Sequence, residues 1–401
     1  MPRASAILPR SRDLAIAALP IVALLIFALD VGAAVAASSA AGTLGFDFLS
    51  YDSAVRRFLD GGVLYDQSFE YTGGFGLFYY PPPFVILALP LALLDPTLAA
   101  WLWTGALIAC FFVAVAVMPV STRVKWVIVL LAGLDWPMVY GIKLGQVGPI
   151  LLLTFALGWR FMDRPRILGV ATAIGTAIKI QPAIIFAWAL VTGRRRAVIV
   201  GAVFLLALAA IATVIAGPAS WVDQATLLAR LSKPIVTPHN YTPGRIAFEL
   251  GASEGLAWAI QWANWALVGV ALLVGVMRVS PVASYLAAVV ASQMVSPILW
   301  DHYALLLVLP VAWLLSRGQW WAAVIPLVTM IWLVNVTPNW AYPVVYWVTF
   351  LAVLWQGRGQ RPAPDRVPAE PSAEPSAEPP AEPSAEPRAE PAGASYAQVR
   401  P

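Results

Sequence analysis

The sequence predicts an all-α, polytopic membrane protein with about eleven to thirteen membrane helices of the usual ~20-residue span. Three observations carry that reading. Of 401 residues, 60% are hydrophobic and only 11% charged, against roughly 25% charged in a soluble domain. Mean hydropathy is +0.77. The apolar residues fall in long runs without the alternation of barrel strands, and lipid satisfies such runs only as helices, which bond their own backbone.

Taken in order, Arg3, Arg10 and Arg12 precede an apolar run from Leu14 to about Ala37. This reads as a retained first helix behind a cytoplasmic N-terminus (1–13), in preference to a cleaved signal peptide. The membrane domain is expected over 14–355, with polar outer loops at about 38–78 and 218–256. Apolar segments lie near 79–94, 97–118, 126–140, 147–161, 167–190, 197–217, 257–277, 282–299, 303–316, 320–335 and 343–355. Arg123/Lys125, Arg164/Arg166, Arg194–Arg196, Arg278 and Arg317 read as cytoplasmic anchors. If 79–94 and 97–118 both crossed fully, Arg123 and Lys125 would lie outside, so one segment is expected to be short or re-entrant. The tail, 356–401, repeats AEPS with frequent proline and is expected to be disordered. It contributes −2, so the +4 of the whole chain is +6 in the membrane body. In a membrane protein that excess points to loop anchoring and not to nucleic acid. One cysteine, Cys110, and two histidines, His239 and His302, exclude a disulfide framework, a thiol cluster and a multi-histidine metal site.

The first outer loop is the most informative stretch. Phe48, Tyr51, Val55, Phe58 and Leu59 fall on one helical face, with Asp52, Ser53, Arg56, Arg57 and Asp60 opposite and Gly61-Gly62 ending the element. A short amphipathic helix along the bilayer surface is expected. Asp47 precedes it and fits two roles, a helix N-cap or a carboxylate facing a site. An aromatic, glycine-rich segment, Phe69–Gly76, leads to Tyr79-Tyr80-Pro81-Pro82-Pro83 at the mouth of the next apolar run, where proline suits a helix start.

Asp47 to Tyr51, Gly62–Tyr65, Tyr80–Phe84, Leu89–Leu94, Gly145-Gln146-Val147, Ala177–Pro182, Arg194–Arg196, Ser296-Pro297 and Trp300-Asp301-His302 stand in consistent order over roughly residues 14 to 320. In this ordered set the chain resembles glycosyltransferase family 87, the polyprenol-phosphate-mannose-dependent mannosyltransferase-like proteins of the GT-C class. The resemblance implies a GT-C-like helical bundle in the cell membrane. It further implies a polyprenyl-phosphate sugar as donor, a glycolipid or glycan acceptor, and transfer on the non-cytoplasmic face with Asp47 as base.

The residues suit that chemistry. A polyprenyl phosphate leaves as a stable anion and needs no acid to protonate it, unlike the alcohol released in glycoside hydrolysis. One base to take the acceptor proton is enough, and direct displacement inverts the anomeric carbon. Only fourteen acids lie before the tail; Asp301 is the main rival to Asp47. Lys179 interrupts an apolar segment, where a charge is costly; it suits the departing phosphate or a snorkelling helix end. Tyr51, Tyr79, Tyr80, Lys143, Gln146, Asp301 and His302 join it as expected donor- or acceptor-binding residues, with Asp47, Lys179 and His302 around one cavity. In the second loop Arg230 and Arg245 are expected mainly to solvate the chain. There is no Walker A loop, dinucleotide fingerprint or Asp-X-Asp triplet, which disfavours a nucleotide-sugar donor, and no metal or other cofactor is expected. The alternative is a transporter or lipid flippase using Lys179 and Asp301. Transporters often carry internal repeats, and the loop-plus-Tyr-Pro-Pro unit is not repeated in the second half.

Overall fold

Helices form where the apolar runs predict them, but several are shorter or more sharply broken than a membrane crossing requires. The computed structural model describes residues 7–66, 77–231, 235 and 239–359. Expectations for Phe69–Gly76 and the repeats of the tail lie outside the described residues. Among the described residues there are seventeen α-helices, joined in places by 3-10 turns, and only isolated β-bridges.

The first half holds α1 (Ile7–Ala40), α2 (Phe46–Leu59), α3 (Phe84–Ala92), α4 (Pro96–Val117), α5 (Thr122–Leu134), α6 (Trp136–Leu144), α7 (Gly148–Arg160) and α8 (Pro165–Ile178). The second holds α9 (Ile184–Val191), α10 (Arg195–Ala216), α11 (Ala219–Leu231), α12 (Pro243–Glu249), α13 (Glu254–Arg278), α14 (Pro281–Met294), α15 (Val308–Ser316), α16 (Val324–Val328) and α17 (Ala341–Gln356). Residues 16–40 of α1, together with α4, α10 and α13, are long and apolar enough to cross a membrane, and the bent pair α6–α7 makes a fifth crossing if counted as one. The fold is thus an all-α polytopic membrane protein. Starts follow local chemistry: Asp95 accepts from the Thr97 and Leu98 amides ahead of Pro96, and Ser121, Ser253 and Ser280 cap α5, α13 and α14. Between α8 and α10, a Cβ on Gly169 would stand 2.4 Å from the Ala197 carbonyl oxygen. Hydrogen at this position lets the two backbones touch, as small residues do between membrane helices.

The segment 79–94 resolves the orientation conflict. Its helix, α3, has nine residues, about 14 Å at 1.5 Å per residue, and both flanks are tied to α2. At one flank the Tyr51 and Tyr80 hydroxyls are 2.7 Å apart; at the other, Arg56 Nη2 donates to the Leu94 carbonyl at 2.6 Å. So α3 stays at the level of α2, and α4 alone carries the chain to the opposite end, where Arg123 and Lys125 lie. There the Arg123 guanidinium sits 5.0 Å from the Trp320 ring, and Lys125, Arg160 and Ser316 share one cleft. Arg194 pairs with Asp163 at 3.4 Å, and Arg278 and Arg358 line another cleft with Trp321. The cationic anchors therefore gather at the end away from α2.

Two further segments depart from expectation. The run 126–140 breaks at Asp135, and 320–335 contains only a 3-10 turn and the five residues of α16 before further turns. The surface helix α2 buries Phe48, Tyr51 and Val55 as expected. Asp52, assigned to the polar face, is also buried, held by Arg56 Nε at 2.7 Å.

Candidate active site

Gly45, at φ 70°, occupies the N-cap of α2, which has no side-chain cap, and Asp47 is the second residue of the helix. Its carboxylate instead accepts from Gln146 Nε2 across a long stretch of sequence. Gln146 arrives there because α6 and α7 meet at 119°. The turn needs glycine: Gly145 has φ +74°, and a Cβ there would stand 2.8 Å from Phe48 Cβ. Two bonds pin this corner against α2 and α4, Gly45 N–H to the Lys143 carbonyl at 2.9 Å and Trp103 Nε1 to the Gly145 carbonyl at 2.7 Å. Behind Gln146, Tyr80 Oη donates to its Oε1 at 3.3 Å, Tyr51 bonds Tyr80, and Tyr65 Oη donates to the Tyr80 carbonyl at 2.6 Å. Burial pushes the Asp47 carboxyl above the ordinary carboxylate range, opposed by His302, the Gln146 hydrogen bond and Lys179.

Facing Asp47 is the turn that opens Asp301–Leu307. Trp136 Nε1 donates to Asp301 Oδ2 at 2.9 Å, and the His302 amide donates to Oδ1 at 2.7 Å. Trp136 is fixed in turn: its amide donates to the Thr329 carbonyl at 2.9 Å, while Thr329 Oγ1 donates to the buried Asp135 at 2.7 Å. His302 is 5% exposed, with Nδ1 3.4 Å from Asp301 Oδ1. Nδ1 thus faces Asp301, while Nε2 has no hydrogen-bond partner; this buried imidazole lines the space beside Asp47, and leaving its polar atom unpaired is costly.

That space is a polar chamber of about 110 Å³ lined by Asp47, Tyr79, Tyr140, Leu144, Gln146, His239, Tyr241, Trp300, Asp301 and His302. Next to it lies an apolar chamber of about 410 Å³ lined by Tyr79, Tyr80, Lys179, Ile184, Leu228, Ser296, Trp300, Tyr303 and their neighbours. Lys179 is buried. Its Nζ is 3.9 Å from the Tyr303 ring centroid, 5.7 Å from that of Tyr80 and 6.0 Å from that of Trp300. Desolvation makes such cation–π contacts count, and among the described residues it makes no ion pair.

Asp47, Tyr79, Gln146, Asp301 and His302 therefore meet at one chamber, while Tyr80 and Lys179 line the adjoining one; the three residues expected around a single cavity divide between the two. Tyr51 sits behind the wall, supporting Tyr80. Lys143 lines neither chamber, and its Nζ lies 6.0 Å from the Tyr140 ring. Arg230 also lines neither, and Arg245 is paired with Glu249 at 3.0 Å. Trp136, Tyr140 and Trp300, with Asn240 and Tyr241 of the second loop, complete the site. Asn240 is buried: its Oδ1 accepts from the Leu299 and Thr242 amides at 2.9 and 3.1 Å, and its Nδ2 donates to the Pro297 carbonyl at 3.2 Å. It thereby joins loop 239–241 to the strand of chain that presents Trp300. Among the described residues no three of His, Cys, Asp and Glu group as a metal site.

A model of glycosyltransferase family 87 matches residues 78–297, just over half of the chain. The chain belongs to glycosyltransferase family 87. No curated protein and no solved structure matches it. As a family 87 glycosyltransferase it transfers a sugar from a donor to an acceptor. The matched span holds Tyr79, Tyr80, Gln146 and Lys179; Asp47, Asp301 and His302 fall outside it, and it is the fold that brings them to the same place.

Proposed function

We propose that this family 87 enzyme transfers a hexose, mannose by the family likeness, from a polyprenyl-phosphate sugar to a glycolipid or glycan acceptor. The site lies on the extracytoplasmic face of the cell membrane. The observation that carries the reading is the pairing of two adjoining chambers, one polar with Asp47, one apolar with buried Lys179. The apolar chamber suits the isoprenoid end of the donor, with its phosphate at the lysine. The polar chamber suits the acceptor hydroxyl. Support for the face comes from the cationic anchors, which lie at the end opposite Asp47, as the positive-inside rule requires of cytoplasmic loops.

In the reaction the acceptor oxygen attacks the anomeric carbon as Asp47 takes its proton. The bond from that carbon to the phosphate oxygen breaks, its electron pair leaving on the polyprenyl phosphate, and the configuration inverts. Lys179 and the Nε2 of His302 supply preorganised charge and hydrogen bonding where the leaving phosphate gathers charge. Gln146 holds the carboxylate through the Tyr51–Tyr80 chain, and Trp136 holds Asp301.

The test is transfer by the purified full chain in liposomes supplied with labelled polyprenyl-phosphate mannose and a glycolipid acceptor. Asp47→Asn is expected to lose at least about 10²-fold in kcat, the range of general base catalysis, while still binding donor. Normal turnover by that variant would refute Asp47 as the base and transfer the role to Asp301.

A further inference from the structure

Two residues line both chambers, Tyr79 and Trp300. On the proposed function, which this inference deepens, the donor phosphate sits at Lys179 and the carbon under attack lies within reach of a hydroxyl held by Asp47. That carbon is bonded directly to the phosphate oxygen, so it lies between Lys179 and Asp47 on the line of attack, and the ring that contains it lies where the chambers join. The Tyr79 and Trp300 rings stand there 5.9 Å apart, tilted by 49°. Trp300 spans the interval: its ring is 6.0 Å from Lys179 Nζ and 5.6 Å from the His302 ring. Tyr79 is backed by Tyr80, stacked at 5.6 Å and 15°. The indole is carried on a braced segment, since Asn240 bonds both Pro297 and Leu299, and the Tyr241 amide donates to the Leu299 carbonyl at 2.7 Å.

We infer that Trp300 is the platform on which the donor's sugar ring rests, steadied by the Tyr79 ring packed against it, and that this platform selects the hexose. An aromatic face is electron-rich and accepts C–H groups lying flat on it. A hydroxyl turned toward that face is desolvated without a hydrogen-bond partner. The platform therefore discriminates by which ring carbons carry an axial hydroxyl on the face set against the indole, a property separate from the proton transfer at Asp47.

The experiment compares the unaltered full chain with Trp300→Leu and Trp300→Phe in liposomes. Each receives two polyprenyl-phosphate hexoses that are epimers at one ring carbon. Trp300→Leu is expected to lower kcat/KM for the preferred donor roughly three- to tenfold, the worth of one aromatic contact, and to bring the ratio between the two donors toward one. Trp300→Phe, which keeps a flat ring, should hold the ratio. An unfolded fraction scales both donors equally and leaves the ratio intact, so the ratio reports the platform itself. A ratio unchanged in Trp300→Leu, or lost equally in Trp300→Phe, overturns the inference while the proposed function stands. No transfer from either donor by the unaltered chain refutes the proposed function and this inference with it.

Discussion

Gln146→Leu isolates the support of the base from the base itself. Leucine has nearly the volume of glutamine and fills the same corner between α6 and α7, but offers Asp47 no donor. A hydrogen bond to a charged acceptor contributes about 1.5–3 kcal/mol. Water replaces part of that at the half-buried Asp47, so the lower end applies, about one pH unit at 1.36 kcal/mol per unit. The bond favours the ionised carboxylate, and losing it raises a pKa that burial has already lifted. Because the base acts deprotonated, activity grows as pH rises through that pKa and is lost below it. The acid limb of kcat/KM is therefore expected about one unit higher in Gln146→Leu, with most of the loss recovered at pH values above the limb. The assay is donor-limited transfer in liposomes across the acid-to-neutral range. A limb that stays in place, or an equal loss at every pH, would refute the linkage between Gln146 and the titrating group.

Three further outcomes are expected. Gly145→Ala, forced to a positive φ against Phe48, should destabilise the protein by about 1–3 kcal/mol, read from unfolding in detergent; an unchanged transition would show that the corner is not tightly packed. Lys179→Met should cut transfer at least about tenfold while thermal stability holds or rises, because it removes a buried cation that has no counter-ion; lower stability would mark the lysine as structural. In a Cys110→Ala background, Asp60→Cys and Arg123→Cys should react with an impermeant thiol reagent from opposite sides of sealed vesicles, and labelling from the same side would contradict the placement of α3.

Much of the site was legible because charge inside an apolar run is costly and conspicuous. Lys179 and Asp301-His302 stood out on that ground, and Asp47 stood out by its place before an amphipathic helix. Asp135 obeys the same rule, a lone acid in the run 126–140, and could have been found by it, together with the helix break it marks. Asn240 and Tyr241 could not: an asparagine in a polar loop gives no sign that both ends of its amide are bound to chain nearly sixty residues away. Helix existence followed from hydropathy, whereas helix depth did not. Hydropathy registers that 79–94 is apolar; only the bonds from Tyr80 and Leu94 to α2 show that it never leaves the rim.

The shallow seat of α3 has a consequence for how the chain is inserted. A translocating machine meets 79–94 as a strongly greasy stretch followed at once by the longer one of α4, and the two together invite a hairpin. What opposes the hairpin is the pair of cations behind α4, which are hard to export. On the proposed orientation, Arg123 and Lys125 would serve during biogenesis as a latch, favouring a crossing by α4 alone that leaves α3 beside the surface helix.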